Sequence, residues 1–306
     1  MDYILRTFGL CKKYKKHLAV NDANMTICRG DIYGFVGENG SGKTTIIRLI
    51  TGLIFPHSGN FELFGVANNS ADIKEARQKV GAVVESPSIY QNMSAYDNLK
   101  MQCMILGLPV DKRIENTLNE VGLGFLLNDK KHAGDFSLGM RQRLGIAMAL
   151  LGNPEFLILD EPMNGLDPAG IVEIRELILK LNRERNITFL ISSHILTELS
   201  LVANKYGIIS KGHIIKEITA DELKKEMLKT TDVLVDKPEL LSTLLENLVD
   251  ADAVIYIPQG VRFIGDLNLN LVLGAIIDAN VKILNITSHE PSFEDYYLEV
   301  VGGKRV

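Results

Sequence analysis

The chain has no tryptophan, and its 306 residues hold only three cysteines and nine prolines. Long apolar stretches are missing too. The longest unbroken run is six residues, Ile146 to Leu151, whereas a helix that crosses a bilayer needs about 20. No membrane span is therefore expected. The opening, Met1-Asp2-Tyr3-Ile4-Leu5-Arg6, shows no basic segment followed by an apolar one, so a secretory leader is not expected. Cys11, Cys28 and Cys103 are odd in number and far apart, without a CxxC pair. They predict reduced thiols and give no sign of a zinc site or a disulfide framework. An excess of positive charge is also lacking, with 33 Lys and Arg against 38 Asp and Glu and a net charge of −5. Beyond one basic cluster, Lys12-Lys13-Tyr14-Lys15-Lys16-His17, there is no nucleic-acid footprint. That cluster reads as a short solvated face or as a partner for nucleotide phosphates.

What is present describes a foldable globular chain, 46% hydrophobic and 23% charged, with 26 glycines. Its length predicts two domains of roughly 150 residues, and charge locates the boundary. Residues 221–306 carry 8 Lys and Arg against 15 Asp and Glu, while residues 1–220 carry the other 25 against 23. The expected division is a larger domain over residues 1–220 and a smaller acidic one over residues 221–306.

Periodicity assigns the elements. Alternation in Tyr3 to Phe8 and Met25 to Ile27 predicts short antiparallel strands. Ile32 to Val36 is an apolar strand that enters a glycine-rich turn, and Thr44 to Thr51 follows as a buried helix with Ile46, Ile47, Leu49 and Ile50. From Ser94 to about Leu151 the pattern is mostly helical. Phe156 to Leu159 and Ile187 to Ile191 are buried-strand runs, separated by an amphipathic helix over about Ile171 to Glu184. Strands alternating with helices imply an α/β fold with a parallel sheet. Beyond residue 220, Asp232 to Asp236, Asp252 to Pro258, Val261 to Gly265 and Val281 to Thr287 read as strands, and Leu240 to Val249 and Leu267 to Ala279 as helices. That order predicts a small ferredoxin-like α+β unit.

Two motifs carry chemistry. Gly37-Glu38-Asn39-Gly40-Ser41-Gly42-Lys43-Thr44 matches the phosphate-binding loop G-x-x-x-x-G-K-[ST]. Its glycines let successive N–H groups turn toward phosphate oxygens, and the helix that follows adds the positive end of its dipole. Lys43 is placed for the β- and γ-phosphates and the Thr44 hydroxyl for Mg²⁺. Phe156-Leu157-Ile158-Leu159-Asp160-Glu161 is a buried strand that ends in two acids, at the edge where α/β sheets bind ligands. Asp160 is the expected Mg²⁺ residue, and Glu161 is placed to polarise an attacking water. The bland reading of the acids is a helix cap beside Pro162.

With these motifs in order, the chain resembles the ATPase subunit of an ATP-binding-cassette (ABC) transporter, over about residues 1–220. Phe136-Ser137-Leu138-Gly139-Met140 stands where the family carries its Leu-Ser-Gly-Gly-Gln signature, Asn164-Gly165-Leu166-Asp167 resembles its D-loop, and Ser192-Ser193-His194 its switch histidine. The resemblance implies a P-loop ATPase core with an antiparallel β subdomain and a helical subdomain over about residues 86–151. It implies ATP and Mg²⁺ as ligands. It also implies a homodimer that closes two ATP molecules between the loop of one copy and Ser137 and Gly139 of the other. Gly37, Asn39, Gly40, Ser41, Gly42, Lys43, Thr44, Thr45 and Asp167 would bind nucleotide, with Glu161, His194 and Lys43 catalytic. Each of the outlying residues keeps a second reading. Tyr14 offers a face for adenine or is an exposed tyrosine among lysines; Ser137 is an anion contact or an ordinary N-cap; His194 touches the γ-phosphate or is a satisfied surface histidine.

Two departures from the family pattern stand out. Leu138 and Met140 replace Gly and Gln, while Ser137 and Gly139 are kept. After Val80-Gly81-Ala82-Val83-Val84, Glu85 stands where the family usually has glutamine. A carboxylate there is a harder metal ligand than an amide, and it repels a γ-phosphate if no metal intervenes; the alternative is a strand-end acid with no metal contact. With the acidic C-terminal unit and the ending Pro291-Ser292-Phe293-Glu294-Asp295-Tyr296-Tyr297-Leu298, these traits resemble ATPases of the bacitracin-exporter and lantibiotic-immunity type. Such chains work at the cytoplasmic face of the membrane with permease subunits on separate polypeptides. An exporter for an unrelated substrate and a soluble ABC protein remain the alternatives. A GTPase is disfavoured because Asn204-Lys205-Tyr206-Gly207 lacks the acid of a guanine motif.

Overall fold

The computed structural model describes residues 2–246, 248–250, 253–265 and 269–302, and the chain divides into two units, Met1–Ala220 and Asp221–Val306. In the first, β1 (Tyr3–Tyr14) pairs antiparallel with β2 (His17–Ala23) and β3 (Thr26–Cys28). The chain then enters β4 (Ile32–Val36), whose five residues are all buried. An apolar run without alternation suits a strand covered on both faces. The glycine-rich loop follows, then α1 (Lys43–Thr51), β5 (Ser58–Leu63) and β6 (Val66–Ala67). The last two join β1 and β2 in the antiparallel sheet, order β2-β1-β5-β6. Ile46, Ile47, Leu49 and Ile50 of α1 share one core with Leu5 and Leu63 of that sheet and with Phe35, Ile158 and Leu190 of the second sheet. Each such side chain, fully buried, stabilises the fold by about 1.5–3 kcal/mol, which anchors the helix that begins at Lys43.

After α2 (Ile73–Gln78) and β7 (Val80–Val83), the helical stretch is broken rather than continuous: α3 (Ala95–Ile105), α4 (Lys112–Glu120) and α5 (Leu138–Leu150). Ser94, Asp111 and Ser137 are the N-caps, accepting from the N–H groups of Asp97, Arg113 and Met140. Gly107 and Gly122, at φ 67° and 71°, turn the chain out of α3 and α4.

The second sheet is completed by β8 (Phe156–Asp160), α6 (Pro168–Arg185), β9 (Thr188–Ser193), α7 (Leu196–Ser200), β10 (Lys205–Ser210) and β11 (His213–Thr219). Its order is β11-β10-β4-β9-β8-β7. All neighbours run parallel except β11, which is antiparallel to β10. Parallel strands bring the C-terminal ends of β4, β8 and β9 to one edge, and that edge carries the loop, the acids and His194. No described helix is long and apolar enough to cross a membrane.

The second unit contains α8 (Ala220–Glu226, starting at the boundary), β12 (Thr230–Val235), α9 (Leu241–Leu245), β13 (Val254–Ile257), β14 (Gly260–Ile264), α10 (Leu269–Asp278), β15 (Ile283–His289) and α11 (Phe293–Gly302). The sheet is antiparallel throughout, in the order β13-β14-β12-β15, which is the ferredoxin-like arrangement. Val233, Val235, Val261 and Phe263 pack against Leu241, Leu245, Val272 and Ile276 of the helices. Asp252, the expected start of a strand, residue 247 inside one expected helix, and residues 267 and 268 at the start of the other lie outside the described residues.

Candidate active site

The loop after β4 has the shape its glycines allow. A Cβ on Gly37 would collide with the Ile209 carbonyl oxygen, and one on Gly42 would come within 2.6 Å of the Ala19 carbonyl oxygen. Gly42 is also the N-cap of α1, at φ 115°, a backbone state closed to ordinary L-residues. The free N–H groups of the first turn of α1 therefore open into a cradle that fits an anion. Lys43 is buried, and its Nζ donates to the carbonyl oxygens of Gly37 at 2.5 Å and Glu38 at 3.2 Å. The Ser41 hydroxyl oxygen is buried without a hydrogen-bond partner among the described residues. An orphaned hydroxyl inside a ring of donors fits a phosphate oxygen.

The acids complete the edge. Asp160 ends β8 and is buried. Thr44 Oγ1 donates to its Oδ2 at 2.9 Å, and Ser192 Oγ donates to its Oδ1 at 2.5 Å. The parallel register sets Ser192 opposite Asp160. The Glu161 N–H in turn donates to Ser192 Oγ at 2.9 Å. Glu161 leaves the strand at φ 50°, a conformation that costs a non-glycine residue about 1–2 kcal/mol. That bend aims its carboxylate at two nitrogens: Lys43 Nζ is 3.5 Å from Oε1, and His194 Nδ1 is 2.8 Å from Oε2. Glu161 has access to solvent where Asp160 has almost none, its side chain being 20% exposed.

The structure thus joins Thr44, Asp160, Glu161 and His194 in one hydrogen-bonded cluster, ion-paired to Lys43, and gives Ser192, the first residue of the Ser192-Ser193-His194 motif, a place in it that the sequence did not assign. Its signal is a hydroxyl one strand away from the first acid, two residues before the histidine. The remaining candidates lie around this cluster. Asn39 and Gly40 form the exposed tip of the loop, and Thr45 is half-buried in the first turn of α1. Tyr14 ends β1, exposed, with Lys12 Nζ 5.5 Å from its ring centroid. Ser137 caps α5, accepting from Met140 N–H at 3.2 Å, and Asp167 caps α6, accepting from Gly170 N–H at 3.1 Å. Gly139 sits in the first turn of α5, where a Cβ would be 3.9 Å from Leu166 Cδ2. Leu138 Cδ2 is 3.3 Å from the position of a Cβ on Gly165, so the signature segment touches the D-loop of the same chain. Glu85 is held outside the cluster at φ 62°, its Oε1 accepting from Arg48 Nη2 at 2.6 Å.

For a metal, the hard oxygens of Thr44 and Asp160 suit Mg²⁺. No group of three or more His, Cys, Asp or Glu converges among the described residues. A site of this kind takes most of its ligands from phosphate and water, as Mg²⁺ prefers.

Known proteins similar to this chain give its family. Residues 20–164 match the ABC transporter family. The chain is 42% identical over 310 residues to the bacitracin transport ATP-binding protein BcrA of Bacillus licheniformis, covering 99% of each chain. It is 37% identical to the protein of the same name from Enterococcus faecalis, over 99% of this chain and 98% of that one. The lantibiotic transport ATP-binding protein SrtF of Streptococcus pyogenes is 42% identical over 235 residues, 76% of this chain and 99% of that one. Among solved structures, cbiO1 from Clostridium perfringens, part of the ABC transporter complex cbiONQ, has a TM-score of 0.67 at 28% identity, covering 81% of this chain and 96% of that one. The ADP conformation of MJ1267, an ATP-binding cassette of an ABC transporter, has a TM-score of 0.65 at 25% identity, covering 74% and 94%.

Proposed function

The chain belongs to the ABC transporter family of ATP-binding, ATP-hydrolysing subunits, and from that premise we propose that it powers export of a peptide antibiotic through membrane subunits on other chains. The observation that carries the cargo class is the similarity to bacitracin transport ATP-binding proteins along the whole chain, C-terminal unit included. The lantibiotic relative adds support over the ATPase unit. Separate membrane subunits are supported by cbiO1 being part of a multi-protein transporter complex. In this reading the chain works at the cytoplasmic face of the membrane, docked on those partners.

The residues divide the work. The curled loop and the N-terminus of α1 bind the phosphates, and Lys43 offsets their charge. Tyr14 offers its exposed ring to adenine. Glu161 takes a proton from the attacking water, as a general base must. His194 orients that carboxylate through Nδ1 and can reach the γ-phosphate with its other ring nitrogen. A magnesium ion, when bound, screens the phosphate charge, and Thr44, Asp160 and Glu85 are the residues suited to hold it. Asp160 is in turn fixed by Ser192. The exposed N-terminus of α5, with Ser137 and Gly139, offers N–H groups to a nucleotide held by a second copy. Two copies would therefore close around two nucleotides, and Asp167, at the start of α6, lies beside that surface.

Resistance tests the cargo. Expression of the chain with its membrane subunits should raise the concentration of bacitracin or lantibiotic that arrests growth, and Glu161→Gln should abolish the gain. Equal sensitivity with the active and inactive chains contradicts the export reading.

A further inference from the structure

We propose that Arg48 is a positioning residue for the ATP site: it neutralises Glu85 and holds that carboxylate off the phosphate cradle. This rests on the ATP-site reading above and not on the cargo. Three observations carry it. Arg48 lies one helical turn beyond Thr44 in α1 and reaches Glu85 at 2.6 Å. Residues four apart share a helix face, so the guanidinium lies on the same side of α1 as the Thr44 hydroxyl. Second, Glu85 belongs to the reactive edge. Val83, the last residue of β7, pairs with Leu159 in the parallel register, and Glu85 follows two residues beyond it, at the end of the sheet where β8 finishes in Asp160. A free carboxylate at this end of the sheet adds negative charge on the side where phosphates would bind, and like charges repel.

Third, Glu85 is held under constraint. It is a non-glycine residue at φ 62°, and such a conformation persists only where its surroundings enforce it. On the side-chain end the enforcing contact is Arg48. On the chain end it is Pro87, which packs against α5: a Cβ on Gly145 would lie 2.6 Å from Pro87 Cβ. A Cβ on Gly81 would likewise lie 2.6 Å from the Ala149 carbonyl oxygen. The segment from Gly81 to Pro87 is therefore seated on the helix that starts at Ser137. The Arg48–Glu85 pair therefore ties α1 to a segment that packs on α5. The pair is partly exposed, 37% for Arg48 and 59% for Glu85. Exposed pairs are weak and screened by salt, so the effect on nucleotide affinity is modest.

A double-mutant cycle decides it. The full-length chain and its Arg48→Met, Arg48→Lys, Glu85→Gln and Arg48→Met/Glu85→Gln variants are titrated with a non-hydrolysable ATP analogue in EDTA, so that no divalent cation offsets the Glu85 charge. Wild-type binding checks the nucleotide site itself. Arg48→Met should raise Kd about two- to five-fold, the scale of an exposed ion pair. Arg48→Lys should restore most of the affinity. In the Glu85→Gln background, Arg48→Met should change Kd by less than about 1.5-fold, because no charge remains to neutralise. An unchanged Kd in Arg48→Met overturns the proposal, even if its melting temperature falls. So does an equal loss with and without the Glu85 charge, which would make Arg48 an ordinary structural residue of α1.

Discussion

The Glu161 carboxylate is held between two nitrogens, His194 Nδ1 at 2.8 Å from Oε2 and Lys43 Nζ at 3.5 Å from Oε1. The general base proposed for ATP hydrolysis must be oriented as well as basic, and this pair of contacts holds the carboxylate from both sides. Lys43 comes from the loop, Glu161 from the end of β8 and His194 from just beyond β9, so the site depends on three neighbouring strands of one sheet. His194→Ala should lower kcat by about 10²-fold or more while changing nucleotide Kd only a few-fold. Made in a Glu161→Gln background, the same change should cost far less, because the two side chains act as a unit. Steady-state kinetics on the four proteins checks this; independent, multiplicative losses would contradict it.

Ser192 is expected to matter as much as the motif residues. It donates to the buried Asp160 and accepts from the Glu161 backbone. Ser192→Ala leaves a buried carboxylate short of one donor, which costs about 1.5–3 kcal/mol for a hydrogen bond to a charged group. Urea unfolding measures the loss, and ATP turnover should fall with it.

Gly42→Ala should be severe. The position combines φ 115° with a Cβ 2.6 Å from the Ala19 carbonyl oxygen, so backbone strain and a collision with main chain add. Nucleotide affinity should drop at least about ten-fold as the cradle distorts. Gly65→Ala is the comparison, since Gly65 also has positive φ, 76°, but nothing within 4 Å of its Cβ. It should lower stability by about 1–2 kcal/mol and leave binding unchanged. Isothermal titration of both variants separates these outcomes.

The second unit has a pH signature. Two bonds from Arg262, at 2.7 and 2.9 Å, hold Asp232 below the usual carboxylate range. A carboxylate depressed in the folded state stabilises at pH above its unfolded value, about 3.9, and that contribution is lost as pH falls through the folded value. Asp232→Asn should therefore be slightly less stable at neutral pH, with the difference closing below about pH 4. The effect is small, because the pair is partly exposed. Hydrogen exchange of the β12 and β14 amides in the full chain reads it locally.

The part of the fold that is legible in the sequence is the part written in apolar runs. Ile32–Val36 and Phe156–Asp160 are wholly buried strands and announce themselves by composition. β10 and β11 do not. Lys205, Gly207, Lys211 and Gly212 interrupt the pattern, and the hairpin depends on Lys211 and Gly212 at φ 48° and 84°, a turn preference that composition barely marks. The helical region reads as one stretch because its residues keep a helical pattern, while its breaks depend on single caps such as Asp111 and Ser137. At the site, Lys43, Thr44, Asp160 and Glu161 follow from contiguous motifs. Ser192 and Arg48 do not, since each acts on a residue far away in sequence. Asp160 is 32 positions from Ser192 and Glu85 is 37 from Arg48, and only strand register and helix packing bring them together.

Glu161→Gln tests the proposed role of Glu161 as the base of ATP hydrolysis with least disturbance, since the amide keeps the size of the carboxylate. Single-turnover ATP hydrolysis and ATP-analogue binding should be measured on the same preparation. Kd should stay within a few-fold of wild type while turnover falls by at least about 10²-fold. Wild-type turnover in that variant would contradict that role.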